Sequence, residues 1–537
     1  MTKEAYTKQM ADISRRADEM REALFEPIAD ENGNVFGKDG KPILESTVCA
    51  ERLEQKTKGS IFEAAGKGGA TIQGTAANAL RSYMAQHGGR LPADDLLASA
   101  HQATENLILA TNEGKKIGGM LLESTLDTTD GILMRDRMVA LILPVMLQSI
   151  TSQIVSFIPG QYNQSEIFRV YRTATSTFGD FTAGDRLDHT YNGQYSSMDQ
   201  RHLTIAGNGT KTGSAAEFDL NSAAKFGKVY PFKKKSIKIL HDKNIVAKDD
   251  GEGNLAGSFM VSSTPVAVSG TVNYATGVIH PVFSVAPANS IEIHVGFDVD
   301  IEKDPTLIPS VNHEMDSRTL YPHEAAIAAS TTLQALWGMR REYNMNADSM
   351  AMLAMRNLLA ADKDRKHLRD LNFYAKGSNS WVYVVPATGI SPQDYYETLI
   401  TKLLQIDTLL MVQTGTSGLV GLVVDAKSAS IIRSMRSFSP VPGYMPIPQP
   451  HYVGRLANMW DIYEDPQGTD YTCLCYAKGR DIGQSAYLAG DAIPAMQFKH
   501  AMQGDLKYNN TLYELAYRDL QPFDGRDYLT TLTFTAS

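Results

Sequence analysis

The densest group of chemically active side chains is cationic. Lys225, Lys228, Lys233, Lys234, Lys235, Lys238 and Lys243 fall within nineteen residues of a chain that carries 51 Lys and Arg against 60 Asp and Glu. A net charge of −9 excludes coating of nucleic acid by bulk positive charge, so this cluster is a local inversion of sign. Two readings stay open for it: contact with nucleic acid or an acidic neighbour, or a strand edge on which lysines block edge-to-edge pairing. The cysteines are Cys49, Cys473 and Cys475. The last two stand two apart in a strand-like run and so share a face, but no second Cys or His pair completes a zinc set. They read as core thiols. Met345, Met350, Met352 and Met355 at helical spacing read as core filling rather than as copper ligands. His313, His323, His367, His451 and His500 are scattered. The spacings H-E-x-x-H, G-x-x-x-x-G-K-[ST] and G-x-G-x-x-G are absent from the chain. Asp30 to Asn34 resembles a calcium loop, but Val35 stands where a turn glycine is needed and Lys41 where a bidentate Glu is needed. A tight hairpin is expected there. No metal, cofactor or catalytic residue is assigned.

The elements that carry these residues follow from periodicity. A chain of 537 residues, 43% hydrophobic and 21% charged, is long enough for two to four domains. Thr2 to Glu26 places Tyr6, Met10, Ile13, Ala17, Met20 and Leu24 on one helical stripe. Pro92 to Glu113 is a second amphipathic helix. Residues 1–117 thus form a helical arm, with glycines 66, 68 and 69 as a joint. The longest apolar run, Met138 to Met146, is broken by Pro144 and falls short of the ~20 residues that a membrane span needs. No membrane partner is expected. From Phe178 to Ile308 the chain is turn-rich, and Val278 to Val285 and Ile291 to Val299 read as strands. Pro322 to Trp337 reads as a helix. Arg340 to Leu371, without Pro or Gly, reads as one long helix of roughly 45 Å at 1.5 Å per residue. Ser391 to Val412 (helix), Leu419 to Val424 (strand) and Ala426 to Ser434 (helix) alternate as an α/β layer. Strands at Asn458 to Tyr463, Thr472 to Ala477, Tyr513 to Asp519 and Tyr528 to Phe534 close the chain. The fold class expected is α+β.

Three anchors carry a resemblance. The stretch from Pro450 to Gln497 has the order small apolar, strand, acidic-Pro turn (Asp465-Pro466-Gln467-Gly468), strand, Lys478-Gly479. The run RMVALILPVMLQSITS within Asp136 to Ser152 precedes a strand at Ile154 to Ile158 and the turn Pro159-Gly160. The long helix follows a β-rich stretch. In this order they resemble the major capsid proteins of tailed bacteriophages of the Hong Kong 97 type, in particular the T-even-like branch. The resemblance implies a spine helix, peripheral and axial domains and an extended loop, with an inserted β domain and a helical arm added. It divides the chain into the arm at 1–117, an entry helix and the start of the extended loop at 118–177, and loop plus insertion at 178–310. The peripheral domain with its spine follows at 311–385, the axial domain at 386–450 and the return strands at 451–537. It further implies a structural protein without catalysis, located in the virion. Such a chain assembles with itself as hexamers and pentamers around double-stranded DNA, with scaffold, portal and decoration proteins as further partners. Encapsulin-like shells, tail sheath subunits and an enzyme with a non-motif site are the alternatives. On this reading the arm is retained in the mature subunit and lies across a neighbour, burying Met10, Ile13, Met20 and Leu24. Removing residues 1–26 would then leave a folded subunit that assembles poorly.

Overall fold

The computed structural model describes residues 3–37, 41–58, 69–87, 89–112, 116–117, 120–121, 146–147, 149–161, 163–187, 193–205, 216–261, 263–287, 291–342, 347–386, 389–441, 448–503 and 507–536. The chain is α+β and divides into two compact units. One comprises Met1–Arg169 and Met315–Ser537, the other Val170–Glu314.

The first unit opens with α1 (Lys3–Leu24), α2 (Ser46–Thr57), α3 (Gly69–Gln86) and α4 (Asp94–Asn112). The stripe on α1 is real, and it is consumed inside the chain. Ile13, Ala17, Met20 and Leu24 are buried in the main core with Leu96, Leu97 and Ala100 of α4, and Met10 packs on the same cluster. Arg16 fastens the pair, reaching Glu105 of α4 and lying 3.1 Å from His101 Nδ1. These apolar side chains need no neighbouring subunit to leave water. Between α1 and α2, the Asp30 carboxylate accepts from the backbone N–H groups of Asn32 and Asn34 at 3.0 and 2.6 Å. That closes a turn rather than a cation site, and an antiparallel bridge follows between Phe36 and Pro42. The run expected as a helix at Asp136 to Ser152 lies mostly outside the described residues. Its end is a 3₁₀ turn at Ile150–Gln153, and the strand after it is confined to Ser156–Phe157.

Two larger sheets follow in this unit. The first orders His323–Thr332, Lys507–Leu520, Tyr487–Gln503 and Ser156–Phe157. Here the expectation fails: Pro322 to Trp337 is not one helix but the strand His323–Thr332 followed by α5 (Leu333–Glu342). The alanines favour a helix, but the segment pairs along its whole length with Lys507–Leu520, from His323↔Ala516 to Thr332↔Lys507. A continuous ladder to a long partner strand outweighs helix propensities of a few tenths of a kcal/mol per residue. The expected single helix from Arg340 also differs: α5 ends at Glu342, and α6 spans Ala347–Tyr374, 28 residues or about 42 Å. Met355 of α6 is buried against Leu512, whereas Met350 is exposed, so the methionine stripe fills the core only in part.

The second sheet is seven-stranded and mixed: Ser378–Val382, Leu529–Thr535, Thr472–Ala477, Leu419–Asp425, Trp460–Asp465, His451–Leu456 and Phe438–Pro440. Its central strand Leu419–Asp425 lies parallel to Trp460–Asp465 and antiparallel to Thr472–Ala477. A strand flanked on both sides and covered on its faces is apolar throughout, which is why Leu-Val-Gly-Leu-Val-Val shows no alternation. Helix α7 (Thr398–Thr414) buries Leu399, Leu403, Ile406 and Leu410, and α8 (Ala426–Arg433) is capped by the Asp425 side chain, which accepts from Lys427 and Ser428 N–H. Cys473 and Cys475 are free and buried on one face, with burial pushing the Cys475 thiol up to about 12. They are core thiols.

Polar side chains pin α6 to both sides of its surroundings. The Lys363 Nζ donates to Asp491 Oδ1 at 2.6 Å and Glu514 Oε1 at 3.0 Å, joining α6 to the strands Tyr487–Gln503 and Lys507–Leu520. One residue on, the Asp364 carboxylate accepts from Ser149 Oγ at 2.6 Å and Thr151 Oγ1 at 3.0 Å. Burial opposes the charge of Lys363, but Asp491 and Glu514 beside it raise its pKa. Burial raises Asp364 and depresses His367, holding that imidazole neutral.

The second unit is built around a nine-stranded antiparallel sheet. Its path runs Asp199–Ile205, Ile293–Asp298, Lys238–His241, Asn244–Asp249, Asn254–Val261, Thr264–Asn273, Val278–Phe283 and Ala216–Glu217, with Leu220–Asn221 also on Val278–Phe283. Its separate core holds Tyr230, Phe232, Ile237, Ile239, Phe283 and Val295.

Candidate anion-binding recess

The lysine cluster belongs to the second unit, and the local sequence explains its form. Tyr230, Phe232, Ile237 and Ile239 are fully buried. These apolar anchors bracket Lys233-Lys234-Lys235, which are left facing water. The three lysines form a tight turn: Ser236 Oγ and N–H donate to Lys233 O at 2.7 and 3.3 Å, and Lys233 N–H donates to Asp298 O at 2.9 Å. Lys235 sits at φ 63°, a left-handed conformation that a β-substituted residue adopts only under constraint. The constraint is the half-turn's link to Asp249, whose Oδ2 accepts Lys235 N–H at 2.7 Å. Asp249 Oδ1 meanwhile accepts from Gly251 N–H at 3.0 Å and the Tyr274 hydroxyl at 2.5 Å. Burial, reinforced by that carboxylate, pushes the Tyr274 phenol up to about 12.

Lys238 starts the strand Lys238–His241, which a two-residue turn joins to Asn244–Asp249. Both turn residues, Asp242 and Lys243, have positive φ (45° and 65°), as a type I′ hairpin requires. The turn carries Lys243 to the same side as the Lys233–Lys235 loop. Together Lys233, Lys234, Lys235, Lys238 and Lys243 line a recess of about 490 Å³, with Ser236, Asp199 and Asp298 also in its wall. Among the described residues none of the five ammonium groups has a carboxylate oxygen within the 4.0 Å of an ion pair. Lys234 Nζ instead lies 5.7 Å from the centre of the Tyr274 ring.

Of the seven lysines singled out by density, the structure gathers these five. Lys225 lies on a one-turn helix, Ser222–Phe226, and Lys228 just beyond it, and neither lines the recess. The strand-edge reading fails, because Lys238–His241 is paired on both sides, by Asn244–Asp249 and by Ile293–Asp298. A central strand has no free ladder to guard. Sequence reasoning missed Asp249, Asp199 and Asp298, which arrive from other strands, and Tyr274, from the turn after Thr264–Asn273, and no local signal marks them. Among the described residues no group of His, Cys, Asp and Glu could hold a metal ion. No helix among them is long and apolar enough to cross a membrane.

Comparison with known proteins gives partial overlaps. The family described as a domain of unknown function, DUF8615, matches residues 1–149. Protein IncB of Escherichia coli is 29% identical over 181 residues, 32% of this chain and 83% of IncB. Among solved structures, the capsid of the jumbo bacteriophage PhiKZ is similar over 69% of this chain and 89% of its own, at 8% identity and a TM-score of 0.33. The capsid of the Myoviridae phage XM1 is similar over 59% of this chain and 93% of its own, at 10% identity and a TM-score of 0.30. The holo-SrpI encapsulin complex of Synechococcus elongatus PCC 7942 is similar over 43% and 79%, at 7% identity and a TM-score of 0.28.

Proposed function

We propose that the chain is a self-assembling structural subunit of the Hong Kong 97 type, the major capsid protein of a tailed phage. The observation that carries this reading is a set of exposed large apolar side chains in the first unit. Trp337 of α5 is 65% exposed, Met350 and Leu358 of α6 are 52% and 46% exposed, and Tyr321, just before the strand His323–Thr332, is 61% exposed. Along α6, exposed and buried side chains alternate: Met355, Leu359, Leu368 and Leu371 are buried, whereas Phe373 near its end is 80% exposed. Large apolar side chains grouped on one stretch mark an interaction surface. A second copy of the same chain is the occupant that the resemblance implies. The element order supports it: a β-rich unit, a long helix, a mixed α/β sheet and closing strands. Double-stranded DNA inside the shell, and scaffold, portal and decoration proteins, belong to this proposal as partners.

Electron micrographs of the purified full-length chain test it. Closed shells are expected, and the pair Trp337→Ser and Met350→Ser should lower their yield while circular dichroism stays unchanged. Tubes would replace the capsid reading by a tail sheath. Discrete particles of one chain at all concentrations would end it.

A further inference from the structure

We propose that the lysine-lined recess of the second unit is a binding site for a compact polyphosphate anion. Lysines from a loop, a strand and a hairpin turn converge on it. None of them is in an ion pair with a described carboxylate, although Asp199 and Asp298 share the wall. Five lysines and two aspartates leave the wall net positive, and a multivalent anion seated there is attracted to it. The recess is partly open to solvent, and its volume of about 490 Å³ is large enough for a small ligand. Lysine binds phosphate as a compact point charge with three donors, so several lysines around one hollow suit an anion of high charge.

The shape of the recess separates two sources of the same chemistry. Nucleic-acid backbone phosphates lie along a rod and are met by cations spread over a surface. Here the lysines face a hollow, and Lys225 and Lys228, which would extend a track, stand outside it. The geometry therefore favours a free polyphosphate. The loop is also preformed: the Asp249 carboxylate holds Lys235 N–H, Gly251 N–H and the Tyr274 hydroxyl independently of any ligand. This inference does not depend on shell assembly, since the recess lies within one unit of one chain.

Titration calorimetry of the full-length chain with sodium tripolyphosphate at low salt tests it. Saturable one-site binding that weakens with added sodium chloride is expected. The pair Lys234→Gln and Lys243→Gln should weaken it by about tenfold or more. The pair Lys225→Gln and Lys228→Gln, outside the recess, should leave it within about twofold. If the first pair does not fold, the thermal midpoint of the unaltered chain takes its place. It should rise with tripolyphosphate and not with sodium chloride of equal ionic strength. Absence of saturable binding, equal losses from both pairs, or no rise in the midpoint would overturn the proposal. So would a short DNA duplex that binds more tightly than tripolyphosphate and loses affinity equally with either pair.

Discussion

Gly251 stands at φ 91°, and a Cβ there would sit 2.9 Å from Lys235 Cγ and Cε. The backbone and the lysine stem both require glycine at this point. Gly251→Ala should therefore cost roughly 1–2 kcal/mol from the backbone alone, with Lys235 displaced from the recess as well. A denaturant midpoint equal to that of the parent chain would show that the loop tolerates the change. His87 makes a second residue-scale case. Its ring is buried between the Tyr463 hydroxyl, 3.1 Å from Nδ1, and Ser152 Oγ, 3.2 Å from Nε2, and burial lowers its pKa to about 3. The folded state thus disfavours the proton that the unfolded chain accepts near 6.5. The stabilisation from neutral His87 is present above pH 6.5 and is lost as pH falls towards 3. Urea midpoints between pH 7 and pH 4.5 should fall more steeply for the parent than for His87→Asn. Parallel curves would assign the acid sensitivity elsewhere. At this scale the sequence reveals the lysines by density alone. It hides Asp249 and Tyr274, because their roles depend on strand register and on the positive φ of Lys235.

Elements were legible where pattern and neighbours agree. The strand Thr472–Ala477 and helix α8 lie where their residues suggest, each with a matching partner: a central sheet position for one, an Asp cap for the other. The strand His323–Thr332 was not legible, because His-Glu-Ala-Ala-Ile-Ala-Ala carries helix formers and its pairing partner lies nearly two hundred residues away. Nor does the sequence show that α6 is fixed by buried charge. Lys363→Met leaves Asp491 and Glu514 buried without their cation, and breaking such a group from one side costs about 3–5 kcal/mol. Lys366→Met, which removes a partly exposed i,i+4 pair with Asp370, should cost about 0.5 kcal/mol or less. Equal effects of the two in chemical denaturation would mean that the Lys363 group does not anchor the helix.

At the scale of the molecule, α+β class and the central α/β layer could be read from alternation of helical and strand periods. What could not be read is which surfaces face the chain itself and which face other copies, since an apolar stripe has the same spacing in both cases. The arm decides how much this matters. Ile13, Met20 and Leu24 are each no more than 6% exposed, and they are packed on α4 and the main core. Full burial of such side chains is worth about 1.5–3 kcal/mol each, so α1 contributes on the order of 5–9 kcal/mol. That is comparable to the whole net stability of a typical domain, about 5–15 kcal/mol. Arg16 adds a contact to Glu105, and the Gln9 side chain donates to Glu166 O at 2.9 Å, so polar groups would lose partners too. Removing residues 1–26 should therefore give insoluble or unfolded chain, not the folded but assembly-defective subunit that an arm lying on a neighbour would give. Expression of the truncated chain, followed by circular dichroism of its soluble fraction, separates the two. A cooperative melt near that of the full chain would mean that the α1 stripe contributes little within its own subunit, and that its partner surface is on another copy after all.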